Sequence, residues 1–420
     1  VPAVSLPAAM ALGPILALLG PILALLGPIL ALLGSLRLLS RLRNTCGHLR
    51  SFPCPPWRGW ILGHMGMVRG GTEEGLEQAE ALAARYRRGC LWWLLPWLPV
   101  LRLFHPDTLR PVLTAAASIA PKDQLFYGFL QPWLGDGLLL SHERKWVQHR
   151  RLLTPAFHGD LLKSYLGIFN HSTRIMHVST HPAPAPVLSP SQPSEYIEAI
   201  LELSRLVVRR QQHLLHYSWW LYRLSGDGRR FTQACATVHG FTAAVVQRRR
   251  QALQCLGHQA WLDHHRGQRM DFIDLLLLAK DEDGNALTDE DIAAEANTFM
   301  FAGHDTTASA LAWLLYNLAG HQQHQERCRQ EVQELLKGRD AEDIEWEDLS
   351  RLPFTTMCIK ESLRLHPPVT AVCRCCTQDL ATRDGRVIPK GTAPPVRPPL
   401  PSPCPRVPKG AVAVPQGSPA

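Results

Sequence analysis

From Asp289 to about Ala319 the sequence runs without a proline, and the stretch "FMFAGHDTTASALAWLLYNLAGH" (299–321) is apolar on nearly every side. One helix over 289–319 would extend roughly 45 Å at the α-helical rise, enough to cross a whole domain. A helix apolar all round must be enclosed by other elements. Gly303, His304, Asp305, Thr306 and Thr307 stand in its middle. A membrane-spanning helix would carry Asp305 at about 2.5–3.5 kcal/mol, so a buried helix of a folded domain is the better reading. Gly303 removes a side chain and lets a flat ligand approach the backbone. Thr306 lies three residues on, and its hydroxyl can bond the Ala302 carbonyl. Asp305 adds an acid beside the groove. Together they suit proton delivery to a bound species; a conformationally useful kink is the alternative.

Two further stretches carry paired side chains. "CIKESLRLHPP" (358–368) places Glu361 and Arg364 three apart on a helix that Pro367 and Pro368 end. Ile359, Leu363 and Leu365 beside them predict that the pair is buried, as a structural device. "KWVQHRRLLTPAFH" (145–158) is a basic helix weakened or ended near Pro155, with Trp146 and Arg150 four apart. An indole and a guanidinium so spaced can hold an anionic group, or belong to an ordinary amphipathic face.

The rest of the chain frames these segments. The first 36 residues carry no charge and repeat "GPILALL" three times, followed by Arg37, Arg41, Arg43 and Arg50. That pattern predicts a membrane anchor with the body on the cytosolic side. "FPCPPWRGW" (52–60) is a stiff hinge, and "LWWLLPWLPVLRLFHPD" (91–107) suggests short strands and a turn. Residues 180–193 hold five prolines and no charge, a linker composition. Helical patterns resume at Ser194 and run with breaks to about residue 255. "KDEDGNALTDEDI" (280–292) has the wrong spacing for a calcium loop and predicts a turn, then Thr288 capping an acidic helix start. Residues 392–420 contain ten prolines in 29 positions and predict a disordered tail. The net charge is +8 and the basic residues form no aromatic-interleaved stripe, so a membrane surface or an acidic partner is expected and nucleic acid is not. Eleven cysteines make no disulfide framework. Cys373, Cys375 and Cys376 lack a second ligand pair at metal spacing, so no metal site is assigned to them.

In combination the motifs resemble the cytochrome P-450 superfamily of haem-thiolate monooxygenases. Its A/G-G-x-D/E-T pattern stands as Ala302, Gly303, His304, Asp305 and Thr306, its E-x-x-R as Glu361 and Arg364, and its W-x-x-x-R as Trp146 and Arg150. "FYGFLQPWLGDGLLLS", "HRRLLTPAFH", "NTFMF", "QERCRQEVQELLK" and "LPFTTMCIKESLRLHPPV" are close to the wording of family 4, subfamily F, the fatty-acid and leukotriene omega-hydroxylases. The resemblance covers most of residues 40–391. It implies a mainly α fold with small β-sheets, the P-450 fold, incomplete at its C-terminal end. It also implies an anchor in the endoplasmic reticulum membrane and a haem (heme) cofactor. Trp146, Arg150 and Arg374 would hold the haem carboxylates, Ala302 and Gly303 would lie against its face, and Asp305 and Thr306 would deliver protons. Electrons would come from an NADPH-dependent flavoprotein reductase docking near Lys145 and Arg151, and the substrate would be a fatty acid or eicosanoid.

The sequence departs from that family at three places. Ala302 stands where many family-4 enzymes carry a glutamate that esterifies the haem, so non-covalent haem is expected. The segment 180–193 replaces additional helices. Beyond "DGRVIPKG" the chain turns at Thr392 into "TAPPVRPPLPSPCPRVPKG", and no F-x-x-G-x-x-x-C-x-G pattern supplies the thiolate ligand; Cys404 sits in "SPCPR". The expected organisation is therefore an anchor (1–36), a basic, proline-rich hinge (37–60), a partial P-450 domain (61–391) and a tail (392–420). The alternative is a membrane-bound remnant without catalysis, or a misassembled chain.

Overall fold

The structure is a computed structural model. It describes residues 47–60, 62–70, 72–95, 98–180, 193–256, 272–280, 284–339, 343–392 and 395–396, with part of 29–43. Most of the expected anchor, the proline-rich 181–192 and residues 397–420, Cys404 included, lie outside the described residues. No described helix is long and apolar enough to cross a membrane.

Two strands, β1 (Gly89–Leu95) and β2 (Leu98–Leu103), form an antiparallel hairpin from the "LWWLLPWLPVLRL" run. Its apolar residues do not alternate with polar ones, so both faces must be buried. Leu91, Trp93, Leu101 and Leu103 join Leu49, Phe52 and Ile388 on one side. Cys90, Trp92, Leu94 and Val100 join Met65 and Phe104 on the other. The chain returns much later as β3 (Val372–Cys373), and β4 (Leu380–Ala381) pairs with β5 (Val387–Ile388) in a separate ribbon. A sixth strand, β6 (Pro395–Val396), completes a four-stranded sheet in the order β1-β2-β6-β3. Thr392 and this strand are the described residues of the segment 392–420. Thr392 is fully buried, its carbonyl accepts from Cys376 N, and Pro395 sits at the first position of its strand, where a missing N–H is tolerated.

Among the described residues nine helices have nine or more residues: α1 (Glu73–Arg85), α2 (Pro106–Thr114), α3 (Glu143–Leu153), α4 (Leu166–Thr180), α5 (Pro193–Arg210), α6 (Gly226–Leu256), α7 (Asp289–Gly320), α8 (Gln322–Leu336) and α9 (Pro353–Leu365). The mainly α fold with small sheets is thus present. Thr288 caps α7 by accepting from Asp291 N, and α9 stops at Leu365 ahead of the two prolines, both as the sequence predicts. On α5, Tyr196, Ala199, Ile200, Leu203, Leu206 and Val207 repeat at helical spacing and are buried. They pack with Phe129, Trp133, Tyr222, Phe231 and Val238 into the largest core cluster, which Met300 and Phe301 of α7 also touch. Each fully buried leucine in that stripe contributes about 1.5–3 kcal/mol relative to exposure.

Candidate functional site

Helix α7 changes character half-way. Ile292, Ala294, Glu295, Ala296, Asn297 and Thr298 are buried. From Gly303 the exposed positions recur in pairs, 303–304, 307–308, 311–312 and 315–316, which is a single open stripe along the helix. Leu311, Leu315 and Tyr316 make that stripe apolar. At Gly303 a methyl group would meet nothing within 4 Å, so the backbone is open to a flat ligand. Asp305 and Thr306 are half-buried at the edge of this face. The Thr306 hydroxyl donates to the Ala302 carbonyl at 2.7 Å, as expected. The opposite treatment is seen at Gly135 (φ +73°), where a Cβ would lie 2.8 Å from that of Ala294, so this loop is fitted tightly to the buried half of α7.

Helix α3 is fastened to that buried half. His149 Nδ1 and Glu295 Oε1 are 2.6 Å apart, both side chains closed from solvent. Lys145 Nζ lies 2.7 Å from Asp291 and 3.0 Å from Asp136. Burial pushes the Asp291 carboxyl up, but the ammonium of Lys145 and the Thr288 hydroxyl outweigh it and hold it below its ordinary value. Lys145 is therefore held between two carboxylates while its side chain stays partly exposed, and Arg144 and Arg151 face outward on the same helix.

So anchored, α3 presents Trp146 and Arg150. The Arg150 guanidinium lies 5.1 Å from the Trp146 ring centroid, and the Lys122 ammonium approaches the same ring to 5.6 Å. Lys122 also forms an isolated antiparallel bridge with Arg374, whose Nη1 donates to the Cys373 carbonyl. The structure thus brings Trp146, Arg150 and Arg374 around a residue that motif reading misses. Lys122 Nζ donates to the Leu138 and Ser141 carbonyls at 2.7 and 3.1 Å. Burial, then repulsion from Arg374, lowers its pKa from 10.5 to about 8. Three cations with no carboxylate bonded to Lys122 or Arg374 among the described residues suit a ligand bearing carboxylates.

Glu361 and Arg364 make the expected bidentate pair on α9, at 2.7 and 2.6 Å. Arg364 lowers the Glu361 carboxyl. The expected burial is not found: their side chains are 35% and 52% exposed, and Ile359 and Leu363 are themselves about 40% exposed. Such a pair contributes about 0–1 kcal/mol. It borders a cavity of about 320 Å³ between α7 and α9, lined by Leu314, Leu318, Phe354 and Met357.

The described residues fit the open face and carboxylate edge of a haem: Gly303 leaves the space and the Trp146 cluster supplies the cations. They do not show its axial donor. Burial raises the thiols of Cys90, Cys235, Cys358 and Cys373 to about 12 and that of Cys376 to about 11, away from the thiolate a metal needs.

The cytochrome P450 family profile matches residues 53–185 and 181–394, two stretches that meet at the proline-rich segment. The chain is 54% identical over 376 residues to cytochrome P450 4F3 of Homo sapiens, across 83% of this chain and 72% of that protein. It is 53% identical over 383 residues to the ultra-long-chain fatty acid omega-hydroxylase of Homo sapiens, across 85% and 72%. To the leukotriene-B4 omega-hydroxylase 3 of Mus musculus it is 52% identical over 372 residues, across 82% and 71%.

Proposed function

The chain belongs to the cytochrome P450 family, and from that premise we propose that it hydroxylates the terminal carbon of fatty acids or eicosanoids with haem as cofactor. The observation that carries this reading is the open, apolar stripe on one half of α7 together with a cationic cluster on α3, which is fastened to the other half. The substrate class rests on the relatives named as omega-hydroxylases. These likenesses support an active hydroxylase and not the inactive remnant.

Haem, when bound, supplies oxygen activation and the oxidation of an unactivated carbon. The residues of this chain do the rest. Arg150, Lys122 and Arg374 neutralise the carboxylates at the ligand's edge, with Trp146 stacked beside them. Ala302 and Gly303 let the ring approach the helix backbone. The Thr306 hydroxyl, held on the Ala302 carbonyl, can swing from it to pass a proton into the groove. Asp305, half-buried at the edge, can take up the replacement proton from solvent. Leu311 and Leu315 keep one wall of the groove apolar. The family needs a redox partner; a flavoprotein reductase fed by NADPH would meet the outer face of α3 at Arg144 and Arg151. The uncharged first 36 residues support a place at the endoplasmic reticulum membrane.

The test is product analysis by mass spectrometry on membranes containing the chain, NADPH, the reductase and a long-chain fatty acid. A hydroxyl on the terminal carbon supports the reading. No oxygenated product, with the protein present and loaded with haem, would overturn it.

A further inference from the structure

Two free thiols face each other where α8 meets α9. Cys328 Sγ lies 3.7 Å from Cys358 Sγ, and neither is cross-linked. Glu331, three residues after Cys328 on α8, fixes how the two helices meet. Its Oε1 accepts from Phe354 N at 2.8 Å, and its Oε2 accepts from Thr355 N at 2.8 Å and from the Thr355 hydroxyl at 2.7 Å. Cys358 stands one turn after that anchor on α9, and Cys328 one turn before it on α8. The antiparallel register that seats the carboxylate therefore also opposes the two thiols.

The two sulfurs differ in access. Cys328 is 8% exposed, whereas Cys358 is half-buried and lines the cavity of about 320 Å³ between α7 and α9. A small reagent entering from solvent meets Cys358 first. A disulfide holds its sulfurs about 2.05 Å apart, so the gap closes by turning the two side chains about their Cα–Cβ bonds. Burial, then Cys328 itself, raises the Cys358 thiol to about 12; Glu331 adds to the rise and Arg327 opposes it. Only a thiolate attacks a disulfide, so exchange here is slow at neutral pH and quickens about tenfold per pH unit below that value.

We propose that Cys328 and Cys358 form a reversible redox modification site whose oxidant is a low-molecular-weight disulfide of the glutathione kind. The Cys358 thiolate attacks one sulfur of that disulfide, forming a mixed disulfide and releasing one small thiolate. The Cys328 thiolate then attacks the Cys358 sulfur, forming the internal bond and releasing the second. Two protein thiols are oxidised, one small disulfide is reduced to two thiols, and the two cysteine protons end on the released thiolates. The bond ties α8 to α9 at the edge of the cavity. It uses neither haem nor fatty substrate, so it stands apart from the proposed function.

The experiment treats the purified full chain with oxidised glutathione at about pH 8.5, quenches it with acid and maps the peptides by mass spectrometry. The expected product joins the peptides of Cys328 and Cys358, carries no glutathione there, and reverts with dithiothreitol. The exposed Cys54 and Cys255 carry glutathione instead. One pH unit lower, the internal bond should form about tenfold more slowly. Cys328→Ser should leave glutathione trapped on Cys358, and Cys358→Ser should leave Cys328 unmodified. Glutathione retained on Cys358 of the unaltered chain would overturn the pairing, as would a bond from either cysteine to a third. Reaction at Cys54 and Cys255 alone would overturn the site altogether. The oxidised chain should unfold at a higher urea concentration than the reduced one, because the bond also constrains the unfolded chain. A lowered midpoint would contradict the fit of the two helices to the bond.

Discussion

Gly303 and Lys122 separate function from fold at the scale of single residues. A methyl group at Gly303 has free space and lies inside a helix, where alanine is favoured by about 0.5–1 kcal/mol. Gly303→Ala should therefore raise the urea midpoint slightly while weakening haem uptake about tenfold, because the added methyl fills the approach. Loss of stability, or unchanged uptake, would contradict an open ligand face there. Lys122 has its folded pKa depressed to about 8 against 10.5. Below about pH 8 it is charged both folded and unfolded, and the penalty of burying that charge is fully present. Between about 8 and 10.5 the unfolded chain binds more protons, so this group favours folding as pH rises. Affinity for a carboxylate ligand moves the opposite way, falling above about pH 8 as the ammonium is lost. Haem titrations from pH 7 to 9.5 on the unaltered chain and Lys122→Met should show that fall in the first and a flat, weaker profile in the second. The Trp146 and Arg150 pair is visible at helical spacing, but Lys122 is not. Its bridge to Arg374 joins distant parts of the chain, and no local pattern announces such a contact.

At the scale of elements, the alignment of α3 with α7 rests on the buried His149–Glu295 pair. Removing one partner strands the other in a site of near-zero exposure, which costs about 3–5 kcal/mol. His149→Ala should lose about that much in urea unfolding, and Glu295→Gln, which keeps a hydrogen-bonding group, distinctly less. Equal small losses would mean that the pair does not fasten the helices. The ends of these elements were legible because capping and proline are local signals: Thr288 starts α7 and Pro367 closes off α9. The burial of Glu361 and Arg364 was not, since apolar neighbours on one helix do not say what covers them. Strand β6 was hidden by its composition. A segment dense in proline reads as disorder, yet Pro395–Val396 needs only a slot between β2 and β3 to join the sheet.

For the whole molecule, the helical core around α5 and α6 and a second apolar cluster of Leu153, Leu276 and Ile292 hold α7 in place, while the hairpin divides two further clusters of its own. Only one half of α7 is thereby buried, and it fastens α3 with Trp146 and Arg150; the other half offers its apolar stripe and Gly303. Family and fold were legible from motifs in their order along the chain, whereas the cationic cluster and the facing thiols of Cys328 and Cys358 depend on tertiary placement. The most direct measurement is an optical haem titration of the purified chain against Lys122→Met/Arg150→Leu, with folding of both checked by circular dichroism. The expected result is saturable one-to-one uptake that the double variant weakens roughly 100-fold, equivalent to about 2.7 kcal/mol. Unsaturable uptake by the unaltered chain, or equal affinity in the two proteins, would contradict the placing of the haem carboxylates at this cluster.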